Sequence, residues 1–417
     1  MARVVSALPV AVLLLLCGAA QARNRLWEDR RPPVEPVPAH QLRDMATWPA
    51  EPPSPAPVDE SRFRESFAYL CGVAADSATA AFAGDILTNA AEVAVDPFLL
   101  ASLVLYQSNC KPALESKAGT GLLRISRSMY LSPGAPVPPV APGDLSVARL
   151  LDPHNNLRVG ARLLKMWQDV HPELDRLFGG VPHRSAVSHF VWGDEVHSSG
   201  HEDLILTARR RLLRHYEDRV DVPRESTLGV PIVAPLEGIP RVASSGPGED
   251  REGGARRHRG LDITATLGEP VRAIADGTVI FAGVNLSGRP RTVVPPEKIA
   301  KWVHRRLGVG GIYVCINHDE QRKVVSCYMH LSSFSVANDE HVTAGQRIGS
   351  VGRTGVKVSP PHLHFEIRVS DRYTNPARYL TDMVIPPKAT MTYRYMLKAK
   401  RSKLRATRSA IDTAKGV

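Results

Sequence analysis

His362-Leu363-His364-Phe365-Glu366-Ile367-Arg368-Val369 is a short apolar run that contains two histidines. A run of this length and composition predicts a β-strand. Side chains two residues apart on a strand point to the same face, so His362 and His364 should converge. The pair alone is a weak sign of a metal site, because a chain of 417 residues with 15 histidines can contain one His-x-His by chance.

Similar runs, separated by Gly, Pro and Asn, recur from about residue 228 onward and predict an all-β domain over 228–385. The other runs are Val271 to Ala275, Gly277 to Ala282, Gly311 to Asn317, Val324 to His330 and Gln346 to Val351. Residues 295–307 break this pattern, and their apolar spacing predicts one inserted amphipathic helix.

Two further short pieces carry side chains suited to chemistry: His258-Arg259-Gly260-Leu261-Asp262 and Tyr328-Met329-His330-Leu331. Two imidazoles and one carboxylate form the ligand set of a catalytic zinc site with an open fourth position. Two more imidazoles could act on a bound water and on the oxyanion. Taken singly, His258 could belong to a solvated basic loop and His330 could be a surface strand residue.

The order and spacing of these pieces resemble the lysostaphin-type zinc endopeptidases of bacterial cell walls, over about residues 230 to 385. The family pattern has His-x-x-x-Asp early, Tyr-x-His in the middle and His-x-His late. Flanking features also match: Gly260-Leu261-Asp262-Ile263, Pro270-Val271-x-Ala273, Asp276-Gly277-Thr278-Val279, Gly345-Gln346-x-Ile348-Gly349, Gly352-x-Thr354-Gly355 and Asn375-Pro376.

The resemblance implies a compact antiparallel β-sandwich with its site in an open groove, and peptidoglycan crosslinks as the substrate. It implies that His258, Asp262 and His364 bind one Zn²⁺. His362 would be the general base, and His330 would hold the substrate oxygen or the developing oxyanion. One departure is an insertion of about twenty residues between the strands at Gly277 and Gly311. It could wall the groove, restrict the substrate or plug the site.

Residues 61–222 show helical spacing instead. One helix is predicted at Pro97 to Tyr106, with Asp96 as its N-cap and Pro97 in its first position. Others are predicted from about Asn155 to Trp167 and from Leu204 to Tyr216.

This helical region faintly resembles the lytic transglycosylases, which are lysozyme-like domains that cleave glycan strands. The matching pieces are Val95-Asp96-Pro97-x-Leu99-Leu100, Ser108, Ser116-Lys117-Ala118-Gly119-x-Gly121-Leu122-Leu123 and Asp152-Pro153-x-x-Asn156-Leu157-x-x-Gly160-Ala161-x-Leu163. Gln107 stands where that family has its catalytic Glu, and an amide cannot protonate a leaving oxygen. Arg124 and Phe190-Val191 also depart from the pattern. We therefore expect a catalytically inactive lysozyme-like domain, with glycan binding and simple spacing or docking as open alternatives.

The chain begins with a predicted signal peptide, residues 1–22, followed by a Pro-rich linker over 23–60. Beyond the signal peptide no apolar stretch reaches the roughly 20 residues that span a bilayer. These features predict an exported protein, in the periplasm or outside the cell.

Export favours disulfides among the four cysteines that remain after cleavage. Cys315 and Cys327 would lie opposite each other if a hairpin turn centres on Gln321. Cys71 and Cys110 would then pair with each other.

The net charge of +11 favours anionic partners of any kind. The basic tail, 386–417, could hold the protein against anionic envelope polymers, or could be a solubilising tail. No motif indicates nucleic-acid binding. Two rivals to a peptidase remain, a non-enzymatic activator of other wall hydrolases and a wall-binding structural protein. All the zinc ligands of the family pattern are present, which argues against the activator.

Overall fold

A computed structural model describes residues 51–387, except for 133–134, 171–183, 194–200, 252–255 and 357–358. The predicted signal peptide, most of the Pro-rich segment and nearly all of the basic tail lie outside this range. Among the described residues, helices occupy the N-terminal part and strands the C-terminal part. None of the described helices is both long and apolar enough to cross a membrane.

The helical part packs around a buried core that includes Trp167. Its helices are α1 (Glu60–Cys71), α2 (Ala78–Val93), α3 (Pro97–Ser108), α4 (Arg127–Leu131), α5 (Val147–Leu151), α6 (Pro153–Val170), α7 (Arg184–Trp192) and α8 (His201–Tyr216). A 3₁₀ helix, Pro142–Leu145, and two short paired strands, β1 (Glu115–Ser116) and β2 (Gly119–Thr120), join them. The three predicted helices are confirmed as α3, α6 and α8.

Helix α3 begins as its sequence predicts. The Asp96 carboxylate accepts a hydrogen bond from the Phe98 backbone N–H at 2.9 Å, and Pro97 occupies the first turn. Such a cap satisfies a donor that the helix itself leaves free. Every side chain of α3 from Phe98 to Leu105 is buried, so this helix is the centre of the helical core.

The C-terminal part is built on one branched sheet around a second buried core. Its strands are β3 (Arg241–Ser245), β6 (Leu261–Thr264), β7 (Pro270–Arg272), β8 (Gly277–Leu286), β9 (Arg289–Val293), β10 (Ile312–Asp319), β11 (Val324–Phe334), β12 (His341–Val342), β13 (Arg347–Val351), β14 (His362–Val369), β15 (Arg372–Thr374) and β16 (Val384–Ile385). The main order is β12-β8-β10-β11-β14-β6-β3-β16. A separate hairpin joins β4 (Asp250–Arg251) to β5 (Arg256–Arg257), and a 3₁₀ helix spans Pro376–Arg378.

Strand pairing is antiparallel in this sheet with one exception. Strands β3 and β16 run parallel, with Val384 opposite Arg241. The expectation of a wholly antiparallel domain is therefore wrong at this edge. A parallel pair needs a long connection between its strands, and here the connection is the whole of the domain that lies between them.

The predicted insert helix is present but shorter than expected. The insertion contains strand β9, which pairs with β8, and then a helix of the 3₁₀ type over Pro296–Trp302. Ile299 is buried, and Trp302 and Leu307 pack partly against the sheet core. The spacing of these apolar residues therefore reflects the one side of the insertion that packs against the sheet core. Proline at 295 and 296 cannot donate backbone hydrogen bonds, and β9 fixes the preceding residues in extended form.

Both predicted disulfides are confirmed. Cys315 lies directly opposite Cys327 in the β10–β11 pair and is bonded to it. Cys71, at the end of α1, is bonded to Cys110, just beyond α3.

Three consecutive arginines of α8 link this helix to α3 and to the sheet part of the chain. Arg209 donates to Asp96, the cap of α3, at 2.5 Å. Arg210 donates to the carbonyl of Pro240 at 2.8 Å, just before β3. Arg211 places its Nε 3.8 Å from a carboxylate oxygen of Glu269, and both side chains are buried. One turn of helix therefore contacts both cores.

Candidate metal centre

Three side chains meet at the junction of β6 and β14. Asp262 of β6 lies directly opposite His364 of β14 in the sheet register. His258 follows β5 and approaches from four residues before Asp262. All three are buried. The family resemblance implied this convergence, and the structure accounts for it, because Asp262 and His364 lie opposite each other on neighbouring strands.

The donor atoms of these side chains form a small triangle. His258 Nε2 lies 3.0 Å from Asp262 Oδ1 and 3.0 Å from His364 Nδ1, and the third side, from His364 Nδ1 to Asp262 Oδ1, is 2.8 Å. Ligand atoms of a tetrahedral zinc ion, with bonds of about 2.0–2.1 Å, lie about 3.3 Å apart. Two imidazole nitrogens and one carboxylate oxygen at these separations fit a single zinc ion. Among the described residues, this is the group of His, Cys, Asp and Glu side chains close enough to share an ion.

Each histidine of the triangle is held by a second partner on its other ring nitrogen. His258 Nδ1 donates to the Gly246 carbonyl at 2.7 Å. His364 Nε2 donates to the Glu366 carboxylate at 3.1 Å, and Glu366 is buried. Such partners fix the tautomer, so that Nε2 of His258 and Nδ1 of His364 are the nitrogens left for a metal.

The carboxylate of the triangle is oriented in the same way. Arg251, on β4, donates from Nη2 to Asp262 Oδ2 at 2.5 Å and to Ser245 Oγ at 2.5 Å. Oδ2 is thereby engaged, and Oδ1 is the oxygen that faces the two histidines. Nothing in the spacing of the sequence pointed to Arg251 or Ser245, because both act through the β4–β5 hairpin and β3.

His362 lies on the same face of β14 as His364, as predicted from their spacing. Its Nδ1 donates to the Pro360 carbonyl at 2.8 Å, which leaves Nε2 free of a proton in the neutral ring. That Nε2 lies 3.8 Å from Asp262 Oδ1. His362 therefore presents a basic nitrogen to the space beside the triangle.

His330 reaches the site through an irregularity that the sequence did not reveal. The β10–β11 register shifts between Ile312 and Val314, and His330 has a left-handed backbone with φ 64°. A β-bulge of this kind re-aims a side chain that regular alternation would place on the other face. The His330 ring centre lies 5.0 Å from that of His362 and 5.6 Å from that of His364.

Thr354 holds this bulge in place. Its carbonyl accepts a hydrogen bond from His330 Nδ1 at 2.9 Å. Its hydroxyl donates to the Leu331 carbonyl at 2.7 Å and accepts from the Ile312 N–H at 2.9 Å. Thr354 appeared in the sequence only as part of the Gly352-x-Thr354-Gly355 motif, with no role attached.

The electrostatics of the site favour positive charge at the triangle. Burial opposes charge on His364, but hydrogen bonds to Asp262 and Glu366 outweigh it and raise the pKa of His364 to about 9. Burial likewise opposes charge on Asp262, yet hydrogen bonds from His258 and His364 bring its pKa far below the usual range. Burial and the neighbouring His364 lower the pKa of His330 to about 3. Burial also lowers the pKa of His362. Positive charge is thus stabilised at the triangle, beside two neutral imidazoles.

All five predicted site residues therefore lie together in the structure. Residues 256–376 match the family model described as peptidase family M23, and the C-terminal part of the chain contains a domain of this family. The match covers His258, Asp262, His330, His362 and His364. The lysozyme-like resemblance of the helical part stays a prediction.

Curated relatives share the same part of the chain. A protein of Haemophilus influenzae named an uncharacterized metalloprotease is 36% identical over 124 residues, which are 30% of this chain and 21% of the relative. The murein hydrolase activator NlpD of Escherichia coli is 33% identical over 129 residues, or 31% of this chain and 27% of NlpD. The DD-carboxypeptidase/endopeptidase Mpg of Neisseria meningitidis serogroup B is 37% identical over 121 residues, or 29% of this chain and 22% of Mpg. The chain thus spans about a fifth to a quarter of the length of these relatives.

Solved structures give matches of similar extent. The catalytic domain of lysostaphin from Staphylococcus simulans has 28% identity, and the match covers 34% of this chain and 92% of that domain with a TM-score of 0.26. A zinc-containing peptidase from Vibrio cholerae has 25% identity, with 37% of this chain and 39% of that chain covered and a TM-score of 0.27.

Proposed function

We propose that this chain is a zinc-dependent endopeptidase that hydrolyses peptide crosslinks of bacterial peptidoglycan. The observation that supports it best is the triangle of His258, Asp262 and His364 donor atoms, with His362 and His330 facing the same space. The M23 match and the name of the relative Mpg favour the same reaction class. The name of NlpD adds murein as the polymer concerned.

In this proposal His258 Nε2, Asp262 Oδ1 and His364 Nδ1 hold one Zn²⁺. A zinc ion with an open position supplies Lewis acidity, which polarises a carbonyl and lowers the pKa of water. The protein's own contribution is orientation. Gly246, Glu366 and Arg251 hold the three ligands from behind, at the distances given above, so that the triangle is formed before an ion arrives. Asp262, Arg251 and Glu366 also set the local charge.

The two other histidines have separate roles in the proposed reaction. His362 presents an unprotonated Nε2, and in the proposal it removes a proton from the attacking water. His330 would hold the developing oxyanion by taking up a proton on Nε2 as negative charge appears beside it, because its neutral ring already gives its one hydrogen, on Nδ1, to Thr354. Both rings are fixed by backbone carbonyls, so neither has to reorient during the reaction.

We extend the proposal to the rest of the chain as the sequence suggests. The helical part would hold glycan without cutting it, because Gln107 has no acidic proton to donate. In the structure Arg124 Nη1 donates to the backbone carbonyl of Gln107 at 3.3 Å, and Arg124 Nη2 donates to Ser116 Oγ. The protein would work after export, in the periplasm or outside the cell, where its two disulfides persist. The tail would add contact with anionic envelope polymers.

A second candidate is a non-enzymatic activator of other wall hydrolases, since NlpD carries that name. The geometry favours the enzyme, because the five side chains of a working site are present and converge. An activator would have no need for the outer partners on each ligand.

The test compares His364→Ala with His341→Ala in the full chain. His341 is an exposed histidine of β12 in the same sheet and serves as the matched control. Zinc content is measured by metal analysis, and fragments released from purified wall are identified by mass spectrometry. We expect one zinc per chain and peptide-bond cleavage in the wild type and His341→Ala, and neither in His364→Ala. If the wild-type protein releases no fragment but stimulates an amidase, the endopeptidase proposal is wrong and the activator takes its place.

A further inference from the structure

The insertion between β8 and β10, residues 287–310, is strongly basic and is called the insert below. It contains six cationic side chains and one acidic one, Glu297. The cations are Arg289, Arg291, Lys298, Lys301, Arg305 and Arg306, and all six are exposed. None of them forms an ion pair with any residue in the described part of the chain. The charge of the insert is therefore available to a ligand.

The first end of the insert is fastened to the face of the sheet that carries the site. Strand register shows which residues share that face: Cys327 lies opposite Glu366, and Cys315 lies opposite both Cys327 and Phe281. Glu366 is two residues from His364 on β14, so this row points to the same side as the metal centre. Because Phe281 belongs to the row, whatever packs on its ring also lies on the site face.

Two contacts make this attachment. The Tyr313 hydroxyl donates to the Pro290 carbonyl at 2.8 Å, and Tyr313 is two residues from Cys315. The Arg291 guanidinium lies over the Phe281 ring at 5.1 Å and donates to the Ile280 carbonyl at 3.1 Å. Residues 290 and 291 of the insert are thus held against Tyr313 and Phe281 on the site face.

The second end of the insert lies beside His330. The Gly310 carbonyl accepts a hydrogen bond from the His330 backbone N–H at 3.3 Å. The Gly308 N–H donates to the Asn285 carbonyl at 2.9 Å, which closes the insert into a loop. Val309, between these glycines, is 52% exposed although it is apolar. The insert therefore touches the site face at both ends, whereas Ile299, Trp302 and Leu307 in its middle pack against the core on the opposite face of the sheet.

Further cations lie on the site face at the edge away from the insert, near the β14–β15 hairpin. Arg368 of β14 and Arg259 both stack on Tyr373, at 5.8 Å and 5.0 Å from its ring centre. Arg368 also donates to Cys327 Sγ at 3.2 Å. The site face is therefore bordered by positive charge both at the insert and across the β14–β15 hairpin.

We propose that the insert selects acidic peptides, so that the groove prefers wall stem peptides whose carboxylates are free over stems in which they are amidated. This inference rests on the proposed function and specifies its substrate. A peptide bound at the centre would bring small apolar groups near Val309 and carboxylates near Arg305 and Arg306, which directly precede the end of the insert beside His330. An anionic phosphate polymer would match the charge, but it has no amide bond to bring to His362 and no use for an apolar contact at the rim.

The experiment uses a pair of soluble crosslinked stem peptides that differ only in amidation of the side carboxylates. Binding to the full-length zinc-loaded chain and cleavage are both measured, at low and at physiological salt. The test variant is Arg305→Gln/Arg306→Gln. The control is Arg322→Gln/Lys323→Gln, which removes the same charge at the β10–β11 turn, about 20 Å along β11 from His330.

We expect the wild type and the control to bind the free-carboxylate peptide about three- to tenfold more tightly than the amidated one, the range for a few exposed ion pairs. The Arg305→Gln/Arg306→Gln variant should lose most of this preference, and added salt should reduce it in the wild type. Equal binding of the two peptides by the wild type, or an unchanged preference in the variant, overturns the inference even if both peptides are cut. A preference that depends on the insert, in a protein that cuts neither peptide, supports the inference and removes the proposed function. If the Arg305→Gln/Arg306→Gln variant loses binding to vesicles that contain lipopolysaccharide but keeps the peptide preference, the insert binds phosphate groups instead. That result also overturns the inference.

Discussion

Glu366 holds His364 from behind, with its carboxylate oxygen 3.1 Å from His364 Nε2 and both side chains buried. The two residues are neighbours on one face of β14, so their contact follows directly from strand geometry. The sequence placed Glu366 on the same predicted strand as His364, and the structure shows it as a buried hydrogen-bond partner of His364. A buried carboxylate on a metal-binding imidazole fixes the ring and makes its other nitrogen more basic.

Glu366→Ala should therefore weaken zinc binding by about 10- to 100-fold. Glu366→Gln keeps an oxygen acceptor and should recover part of the loss. Zinc affinity is measured by competition with a chromophoric chelator, and Glu320→Gln, a change at an exposed acid, is the control. Affinities that are the same for Glu366→Ala and wild type would show that Glu366 only fills space.

Thr354 should matter both for stability and for His330. Thr354→Val keeps the shape but leaves the Ile312 N–H and the Leu331 carbonyl without their partner, at a cost of about 1–3 kcal/mol in the free energy of unfolding. Denaturant unfolding measures this loss, and wall hydrolysis should fall with it because the bulge at His330 loosens. Thr354→Ser retains the hydroxyl and should stay close to wild type. A valine variant with full stability and activity would contradict the role assigned to the hydroxyl.

Glu269 should give the fold a sensitivity to acid. It is buried, 2.9 Å from Arg241 and 3.8 Å from Arg211. Burial raises its pKa, but the two arginines outweigh burial and lower it below the ordinary value of 4.5. A lowered folded-state pKa contributes stability above the unfolded-state value, and that stability is lost as the pH falls through the folded-state value.

Glu269→Gln should therefore reduce the free energy of unfolding by about 3–5 kcal/mol at pH 7, because it leaves buried arginines unpaired. The difference from wild type should shrink as the pH is lowered below 4.5. Unfolding curves at a series of pH values check both statements. A difference that stays constant down to low pH would mean that Glu269 is not the titrating group.

The disulfides should contribute unequally. In the chain-entropy picture, closing the 12-residue separation of Cys315 and Cys327 stabilises the fold by about 3 kcal/mol, and the 39-residue separation of Cys71 and Cys110 by about 4 kcal/mol. Paired Cys→Ala variants, unfolded in denaturant with and without reductant, measure the two contributions. If reductant destabilises the variant lacking both bridges as much as it destabilises wild type, the effect does not come from these bonds.

Much of the site was accessible from the sequence because it depends on local rules. Two-residue alternation placed His362 and His364 on one face, and the family pattern added His258, Asp262 and His330. The outer partners differed in accessibility. Glu366 shares the strand and could be anticipated, whereas Arg251 reaches Asp262 from a separate hairpin, and no spacing rule connects them.

The fold was predictable where sequence patterns are strong and not where tertiary packing decides. The cap at Asp96 and the opposed cysteines in β10 and β11 followed from local chemistry. The apolar spacing of the insert predicted a helix but not its type or length, because burial on one side gives the same spacing in a short 3₁₀ helix. The left-handed backbone of His330 had no sequence signal, since a histidine at that position looks like any strand residue.

The three arginines 209–211 restrict movement between the helical part and the sheet. Each of these side chains is bonded or close to a different partner, and together they fasten α8 to the cap of α3 on one side and to the edge of the sheet on the other. The helical part cannot move against the sheet without breaking the Arg210–Pro240 hydrogen bond and separating the buried Arg211–Glu269 pair. Under the proposed function, a glycan strand bound by the helical part would therefore lie at a fixed distance from His362. That distance would decide which peptide crosslink the site can reach.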